Sequence, residues 1–152
     1  VYILIRIESI SKKHHEAAIN LVLSVFMQYE ACDYSQEGIN TFKAFICNPE
    51  SIDSLEFYGA FINDDEIIGV IATRNNGNHI AFFFVDGRYQ RQGIGRKLFQ
   101  VVLEKSMGNK ITVNSSPYAV EIYKKLGFTA DTDEQITESI RFTPMTYTKF
   151  IP

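Results

Sequence analysis

The residues best suited to chemistry are two closely spaced glycines and the basic side chains around them. Residues 90–96 read Q-R-Q-G-I-G-R, after the apolar run 80–85 and at the start of an amphipathic pattern that begins at Ile94. A helix start carries unpaired backbone N–H groups and a partial positive charge, and glycine lets an anion approach them closely. Positive charge is added by Arg88, Arg91, Arg96 and Lys97. The pattern therefore predicts an anion site at a helix N-terminus.

Two common phosphate-binding loops do not fit this segment. Position 98 is leucine, whereas the dinucleotide fingerprint G-x-G-x-x-G requires a third glycine there, and no G-K-[ST] follows the loop. The alternative is a strand-to-helix turn whose glycines only relieve packing. A G-x-G pattern alone does not decide between the two interpretations, because short motifs recur by chance.

Apolar periodicity and turn residues predict the elements that position this loop. Helices are expected after Ser11, after Ser35 as far as Asn48, where Pro49 ends it, over residues 93–107, and from Pro117 at a first helical position to Gly127. Strands are expected over residues 1–8, 55–62, 67–73, 80–85 and 110–113, around 139–142, and in a last run reaching Phe150. The order β-α-α-β-β-β-α-β-α-β-β predicts an α/β (α+β) fold, a mixed sheet with helices on both faces.

Composition narrows the class of protein. The 152 residues are 45% hydrophobic and 22% charged, which is typical of one globular domain over residues 1–152. A net charge of -3 gives no general attraction to nucleic acid. The apolar run 1–5 is too short for a signal peptide or a membrane span, and Cys32 and Cys47 form no metal motif. We expect a cytoplasmic protein without a metal, with both cysteines reduced and half-buried.

Two segments together resemble the GCN5-related N-acetyltransferase (GNAT) superfamily. Residues 85–95, V-D-G-R-Y-Q-R-Q-G-I-G, resemble its V-x-P-x-Y-[RQ]-x-x-G-x-[GA] motif, and residues 119–128, A-V-E-I-Y-K-K-L-G-F, resemble A-x-x-x-Y-x-K-x-G-F. Gly87 stands where proline is usual, a change that should loosen the loop. The resemblance implies the GNAT fold and an acyltransferase that uses acetyl-CoA as its cosubstrate.

The resemblance also assigns residues to the acetyl-CoA site. The pyrophosphate is expected at Gln90, Arg91, Gln92, Gly93, Ile94, Gly95 and Arg96, and the pantetheine arm along Phe83, Phe84 and Val85. Ser116 lies near the position of a family asparagine that contacts the cofactor, and Asn114 and Ser116 are expected to share that role. Tyr123 matches the tyrosine that protonates the departing thiolate; the alternative is a core aromatic residue on an amphipathic helix.

The catalytic base and the acceptor are less closely defined. His79 lies near the position of a family glutamate base, and an ordinary histidine pKa of about 6.5 suits that role, although His79 could equally be an exposed strand end. Glu30 and Asp33 are the other candidate bases. Residues expected to border the acceptor are Tyr29, Glu30, Asp33, Tyr34, Glu37 and the segment 132–141. This acidic cluster favours a cationic amine, or is a solvated helix end.

The leading hypothesis is direct acetyl transfer to a primary amine of a small molecule or peptide, by a monomer or homodimer. The alternative from another class is a non-catalytic acyl-CoA-binding sensor or regulatory domain. A third alternative, acetylation of charged tRNA, is disfavoured because the acidic balance offers no broad basic face. We therefore expect neither a nucleic-acid nor a membrane partner.

Overall fold

The computed structural model describes residues 4–149, which form five helices and eight strands. The helices are α1 (His15–Val25), α2 (Gln36–Ile46), α3 (Pro49–Asp53), α4 (Ile94–Lys105) and α5 (Val120–Leu126). The strands are β1 (Arg6–Ser9), β2 (Glu56–Ile62), β3 (Glu66–Arg74), β4 (His79–Val85), β5 (Lys110–Ser115), β6 (Thr129–Ala130), β7 (Gln135–Thr137) and β8 (Ile140–Thr148). A π-helical turn, Phe26–Glu30, continues α1.

The strands form one mixed sheet in the order β1-β2-β3-β4-β5-β8-β6, and β7 pairs with β8 beside it. Neighbouring strands are antiparallel except β4 and β5, which are parallel. Buried side chains of α1 and α2 pack with Phe82 and Phe84 on one face, whereas those of α4 and α5 pack on the other. The predicted mixed sheet with helices on both faces is confirmed.

Strands β4 and β5 separate soon after they begin. Only His79 with Thr112 and Ile80 with Val113 are paired between them. Beyond this point β5 follows β8, pairing Asn114 with Pro144, while β4 stays paired with β3 as far as Val85. The second half of β4 therefore has no strand partner on its β5 side, and a cleft opens between the two strands.

A β-bulge in β4 changes which side chains face each layer. Ala72 pairs with Phe82 but Thr73 pairs with Ile80, so Ala81 is the extra residue. Before the bulge, Ile80 packs on the α4 side; after it, Phe82 packs on the α1 and α2 side. Such bulges redirect side chains next to functional sites. After the bulge, Phe82 and Phe84 lie on the α1 and α2 side of the sheet, and Phe83 lies on the α4 side.

Several predicted boundaries differ from the structure. Helix α2 ends at Ile46, before the expected end at Asn48, and Pro49 begins α3, because the Asn48 side chain accepts hydrogen bonds from the N–H groups of Glu50 and Ser51. Helix α5 begins at Val120, so the expected start at Pro117 was wrong. The strand expected over 139–142 and the last strand are one continuous β8, and the predicted end at Phe150 lies outside the described residues.

The exposure of the cysteines and the lengths of the helices can also be compared with the predictions from the sequence. Cys32 and Cys47 are both free, but both are exposed, so the expectation of half-buried thiols was wrong. Among residues 4–149, no helix has the length and apolar character needed to cross a membrane.

Candidate functional site

Two cavities meet in the cleft between β4 and β5. The loop-side cavity, about 420 Å³, lies between residues 90–96, which we call the glycine loop, and the elements β4 and α5. The helix-side cavity, about 280 Å³, lies between α2, the π-helical turn, β4 and β5. Both are lined by Glu30, Phe83, Phe84, Ala119 and Tyr123. These five residues therefore define the junction of the two cavities.

The glycine loop presents an uncapped helix start to the loop-side cavity. Gly93 is the N-cap of α4 with φ +82°, a left-handed conformation that favours glycine, and no side chain caps the helix. The Gly93 carbonyl accepts the first hydrogen bond of the helix, from the N–H of Lys97. The N–H groups that precede Lys97 have no partner within the helix and can bind another group. This arrangement suits an anion, as the sequence pattern indicates.

Gly95 has a different structural role from Gly93. A Cβ at Gly95 would lie 3.3 Å from Cζ of Phe83, so its absence lets the first turn of α4 lie against β4. No atom lies within 4 Å of a Cβ built at Gly93, where the backbone conformation is the constraint. One glycine therefore sets the direction of the loop and the other its close packing.

The basic side chains divide between the cavity and the outer surface. Arg91, Arg96 and Lys125 line the loop-side cavity together with Gln90. Arg88 instead pairs with Asp86 at 2.9 Å, and neither it nor Lys97 lines this cavity. The charge available to an anion thus comes from the loop and from α5.

Gly87 begins the 3₁₀ turn Gly87–Tyr89, which follows β4. The Asp86 side chain accepts the N–H of Arg88 and caps the 3₁₀ turn Gly87–Tyr89. A Cβ at Gly87 would overlap the Tyr29 hydroxyl, and the Tyr29 ring stacks on Tyr118 with 5.6 Å between centroids. A larger residue at position 87 would therefore displace the Tyr29 ring from its position across from the segment before α5.

Glu30 is a buried carboxyl at the junction of the cavities. It is the last residue of the π-helical turn and is 7% exposed. Burial is the main cause that raises its pKa to about 7; a hydrogen bond with Ser116 opposes the shift, and the nearby Asp33 adds a smaller upward contribution. A carboxyl with this pKa exchanges a proton near neutral pH.

Tyr123 lies beside Glu30 and is 5% exposed. Its ring packs against Phe83 at 5.8 Å and Phe128 at 5.2 Å between centroids. Burial and the nearby Glu30 carboxyl raise the pKa of its hydroxyl, so Tyr123 keeps its proton at neutral pH. The side chain is both a core aromatic residue and part of the cavity wall.

His79 lines the far end of the helix-side cavity. Its Nδ1 lies 2.7 Å from Oγ1 of Thr112. Burial and the charge of Arg74 lower its pKa to about 4, so the ring is neutral at neutral pH and holds a proton weakly. His79 lacks the ordinary histidine pKa on which its expected role as a base depends.

Some of the other predicted site residues line the helix-side cavity, and others line neither cavity. Tyr34, Asn114 and Ser116 line the helix-side cavity, although Asn114 and Ser116 are expected at the cofactor. Neither Asp33 nor Gln92 lines either of these two cavities: Asp33 accepts a hydrogen bond from Arg141 through its backbone carbonyl, and the Gln92 amide donates to the carbonyl of Arg88. Among the described residues, no cluster of His, Cys, Asp or Glu could hold a metal ion.

The β7–β8 hairpin is fastened to the connection between α1 and α2. Arg141 donates to the carbonyl of Asp33 at 2.8 Å and binds Glu134 through two nitrogen atoms. Thr41 donates to the carbonyl of Glu138, and a Cβ at Gly38 would overlap the carbonyl oxygen of Ser139. The predicted border at residues 132–141 therefore contacts α2 beside the helix-side cavity.

Comparison with known proteins identifies this arrangement. The family model described as an acetyltransferase (GNAT) domain matches residues 30–149. The chain belongs to the GNAT acetyltransferase family.

Solved structures share the fold of this GNAT chain. A GCN5-related N-acetyltransferase from Rhodopseudomonas palustris has a TM-score of 0.82 and 16% identity, over 97% of this chain and 98% of that one. The apo form of YjaB from Escherichia coli has a TM-score of 0.74 and 19% identity, over 97% and 99%. The PaiA N-acetyltransferase from Thermoplasma acidophilum, solved with coenzyme A, has a TM-score of 0.69 and 20% identity, over 95% and 99%. No curated protein sequence matches significantly.

Several residues of the GNAT site are missed by sequence reasoning. Phe42 and Phe45 of α2 are half-buried and line the helix-side cavity. Arg74 lines the same cavity, and Tyr118 and Lys125 line the loop-side cavity. The position of Arg74 could have been predicted from the sequence. It lies just before the hairpin turn that leads to His79, and a hairpin places these two residues opposite each other. The others depend on tertiary packing.

Proposed function

We propose that this GNAT-family chain transfers the acetyl group of acetyl-CoA to a primary amine by direct attack within a ternary complex. The observation that carries the proposal is the junction of the two cavities, where Glu30 and Tyr123 are accessible from both sides. One cavity can hold the donor and the other the acceptor. Acid and base would then lie where the two reactants meet.

The loop-side cavity suits acetyl-CoA. The uncapped start of α4, Arg91, Arg96 and Lys125 match the negative charge of a pyrophosphate. The second half of β4 has no strand partner on the side that faces β5. Its backbone N–H and C=O groups there are available to the amides of the pantetheine arm, since buried backbone groups require partners. Its volume of about 420 Å³ lies within the usual range for small-molecule sites.

Acetyl-CoA would supply the thioester, and the side chains at the junction would handle the protons. Glu30 would take a proton from the acceptor ammonium and so release the free amine. The nitrogen then bonds to the acyl carbon, the C–S bond breaks, and its electron pair leaves with the sulfur. Tyr123 would donate its hydroxyl proton to that sulfur and regain one from the new amide nitrogen, so one proton is released per turnover.

Glu30 is the better candidate base than His79. A base is most effective when its pKa lies near the working pH, and Glu30 meets that condition with a pKa of about 7. His79, with a pKa of about 4, would rarely carry a proton away at neutral pH. Groups facing Glu30 are Ser116, Asp33 and the tyrosines at 34, 118 and 123.

The test measures acetyl-CoA consumption with a panel of primary amines. Because Cys32 and Cys47 are exposed and would react with thiol reagents, acetylated amine should be quantified by chromatography. We expect amine-dependent turnover whose kcat/KM rises with pH through an inflection near 7. Glu30→Gln should lower kcat/KM by at least about 100-fold and remove that inflection. An inflection near pH 4 would instead assign the base to His79.

The control is Glu16→Gln, which removes an exposed carboxylate from α1, far from both cavities. It should keep the activity and the pH profile of the unmodified protein. Binding of acetyl-CoA without consumption, across the whole amine panel, would contradict catalysis. That result would favour the non-catalytic acyl-CoA-binding sensor.

A further inference from the structure

One wall of the helix-side cavity is formed by phenylalanine rings, and polar side chains line other parts of it. Phe26 and Phe42 stack with 4.0 Å between centroids, and Phe42 and Phe45 each meet Phe82 edge-on at 6.2 and 5.6 Å. Rings that hold one another in this way form a rigid wall that suits an apolar or aromatic ligand body. The volume of about 280 Å³ lies just below the usual range for drug-sized ligands, which suits a small acceptor.

Charged groups lie at the two ends of this cavity. Glu30 is at the junction, which Phe83 also lines. Arg74 lies opposite His79 in the antiparallel register of β3 and β4, at the start of β4. Residues 79 to 83 of a strand span about 13 Å. An acceptor that reaches both ends must therefore carry two polar groups separated by an apolar body.

Arg74 provides the positive charge at the far end. It is exposed and forms no salt bridge or side-chain hydrogen bond with any other residue in the part of the chain that the structure describes. His79, its neighbour, is neutral because burial and Arg74 lower its pKa to about 4. A guanidinium presents donors in a fork that matches a carboxylate.

We propose that the acceptor is a small primary amine with an apolar, preferably aromatic, body and a carboxylate at the end away from the amine. This inference rests on the proposed acetyl transfer. The amine lies at Glu30 and the carboxylate at Arg74, with the body between the phenylalanine rings. An α-amino acid fits poorly, because its carboxylate lies next to its amine and does not reach Arg74.

The test compares kcat/KM for para-(aminomethyl)phenylpropanoate with that for its methyl ester, which has the same amine and body. We expect the carboxylate to be favoured by about tenfold or more, the effect of one hydrogen-bonded charge pair. It should also be favoured over phenylalanine. Arg74→Met should reduce the carboxylate-to-ester ratio to about 1. Arg74→Glu should turn the preference toward para-xylylenediamine, whose distal group is cationic.

The control is Lys13→Met, which removes an exposed positive charge outside both cavities and should keep the ratio unchanged. A ratio near 1 in the unmodified protein, or one that survives in Arg74→Met, would overturn the inference. Amine-dependent turnover in either case would leave the proposed acetyl transfer intact. If no amine is acetylated although acetyl-CoA binds, the proposed function itself fails.

Discussion

The two cavities are built from different parts of the chain. The loop-side cavity depends on backbone geometry: a left-handed glycine, an uncapped helix start and a strand edge without a partner. The helix-side cavity depends on side chains that come from the π-helical turn, α2, β3, β4, β5, α5 and β8. Backbone features leave short sequence motifs, whereas side chains gathered from seven elements leave none.

This difference separates donor recognition from acceptor recognition. A site made of backbone N–H groups tolerates changes in the surrounding side chains, because its donors are present in every residue except proline. A cavity walled by side chains changes shape and charge with each substitution. Substitutions confined to one cavity should therefore affect one reactant, and substitutions at the junction should affect the reaction itself.

The largest effect is expected for Tyr123→Phe, which removes the proposed acid at the junction. We expect kcat to fall about 100-fold or more, with little change in the Kd of acetyl-CoA, because the ring and its packing remain. Steady-state kinetics and calorimetric titration measure the two quantities. Tyr147→Phe is the control: it removes a hydroxyl from a ring that packs on Phe128 in the same cluster, outside both cavities. Equal kcat values for the two variants would remove Tyr123 from the mechanism.

Glu30→Gln should also change the pH dependence of stability. The folded protein holds a proton on Glu30 up to about pH 7, whereas the unfolded chain releases it near 4.5. The stabilisation is therefore complete below pH 4.5 and is lost as pH rises through 7, by roughly 3 kcal/mol at most. Urea unfolding at pH 5 and pH 8 should show the variant gaining stability relative to the unmodified protein at the higher pH. A pH-independent difference would mean that Glu30 is not held protonated.

Gly93→Ala is expected to weaken only the donor side. Alanine at φ +82° costs about 1–2 kcal/mol, which the loop can relieve by turning its N–H groups away from the anion. We expect the Kd of CoA to rise about tenfold while the KM of the amine at saturating acetyl-CoA stays the same. Gly77→Ala, at φ +81° in the turn between β3 and β4, carries the same backbone strain outside both cavities, and its Cβ would also lie 2.9 Å from Cα of Ser106, so it should destabilise the protein at least as much. A similar loss of CoA affinity in both variants would point to general destabilisation.

Turn chemistry explains which parts of the fold were predictable. The turn before β4 contains Asn75, Asn76 and Gly77, all with positive φ, and these residue types predict a hairpin. The turn before β8 has positive φ at Glu138 and Ser139, which are not typical of such turns. The strand expected over 139–142 therefore crosses a turn, and β7 was missed.

The candidate site shows the same division. The glycine loop and Tyr123 are predicted by short motifs, because each motif lies within one helix or across one strand-to-helix turn. The bulge at Ala81 and the π-helical turn that ends at Glu30 leave no comparable local pattern, yet they set the directions of Phe82 and of the carboxyl. Arg74 reaches the cavity through antiparallel pairing with His79. Its role depends on strand register, which the apolar pattern defines only approximately.

Gly38→Ala should produce the smallest effect, and on the acceptor side alone. Alanine favours a helix by up to about 1 kcal/mol over glycine, but here its Cβ would overlap the carbonyl oxygen of Ser139 and push the β7–β8 turn away from α2. The helix-side cavity would widen, and we expect the amine KM to rise about threefold with the Kd of CoA unchanged. Asn40→Ala, on the exposed side of α2, is the control. A fall in stability without a change in amine KM would show that the hairpin supports α2 but does not shape the acceptor cavity.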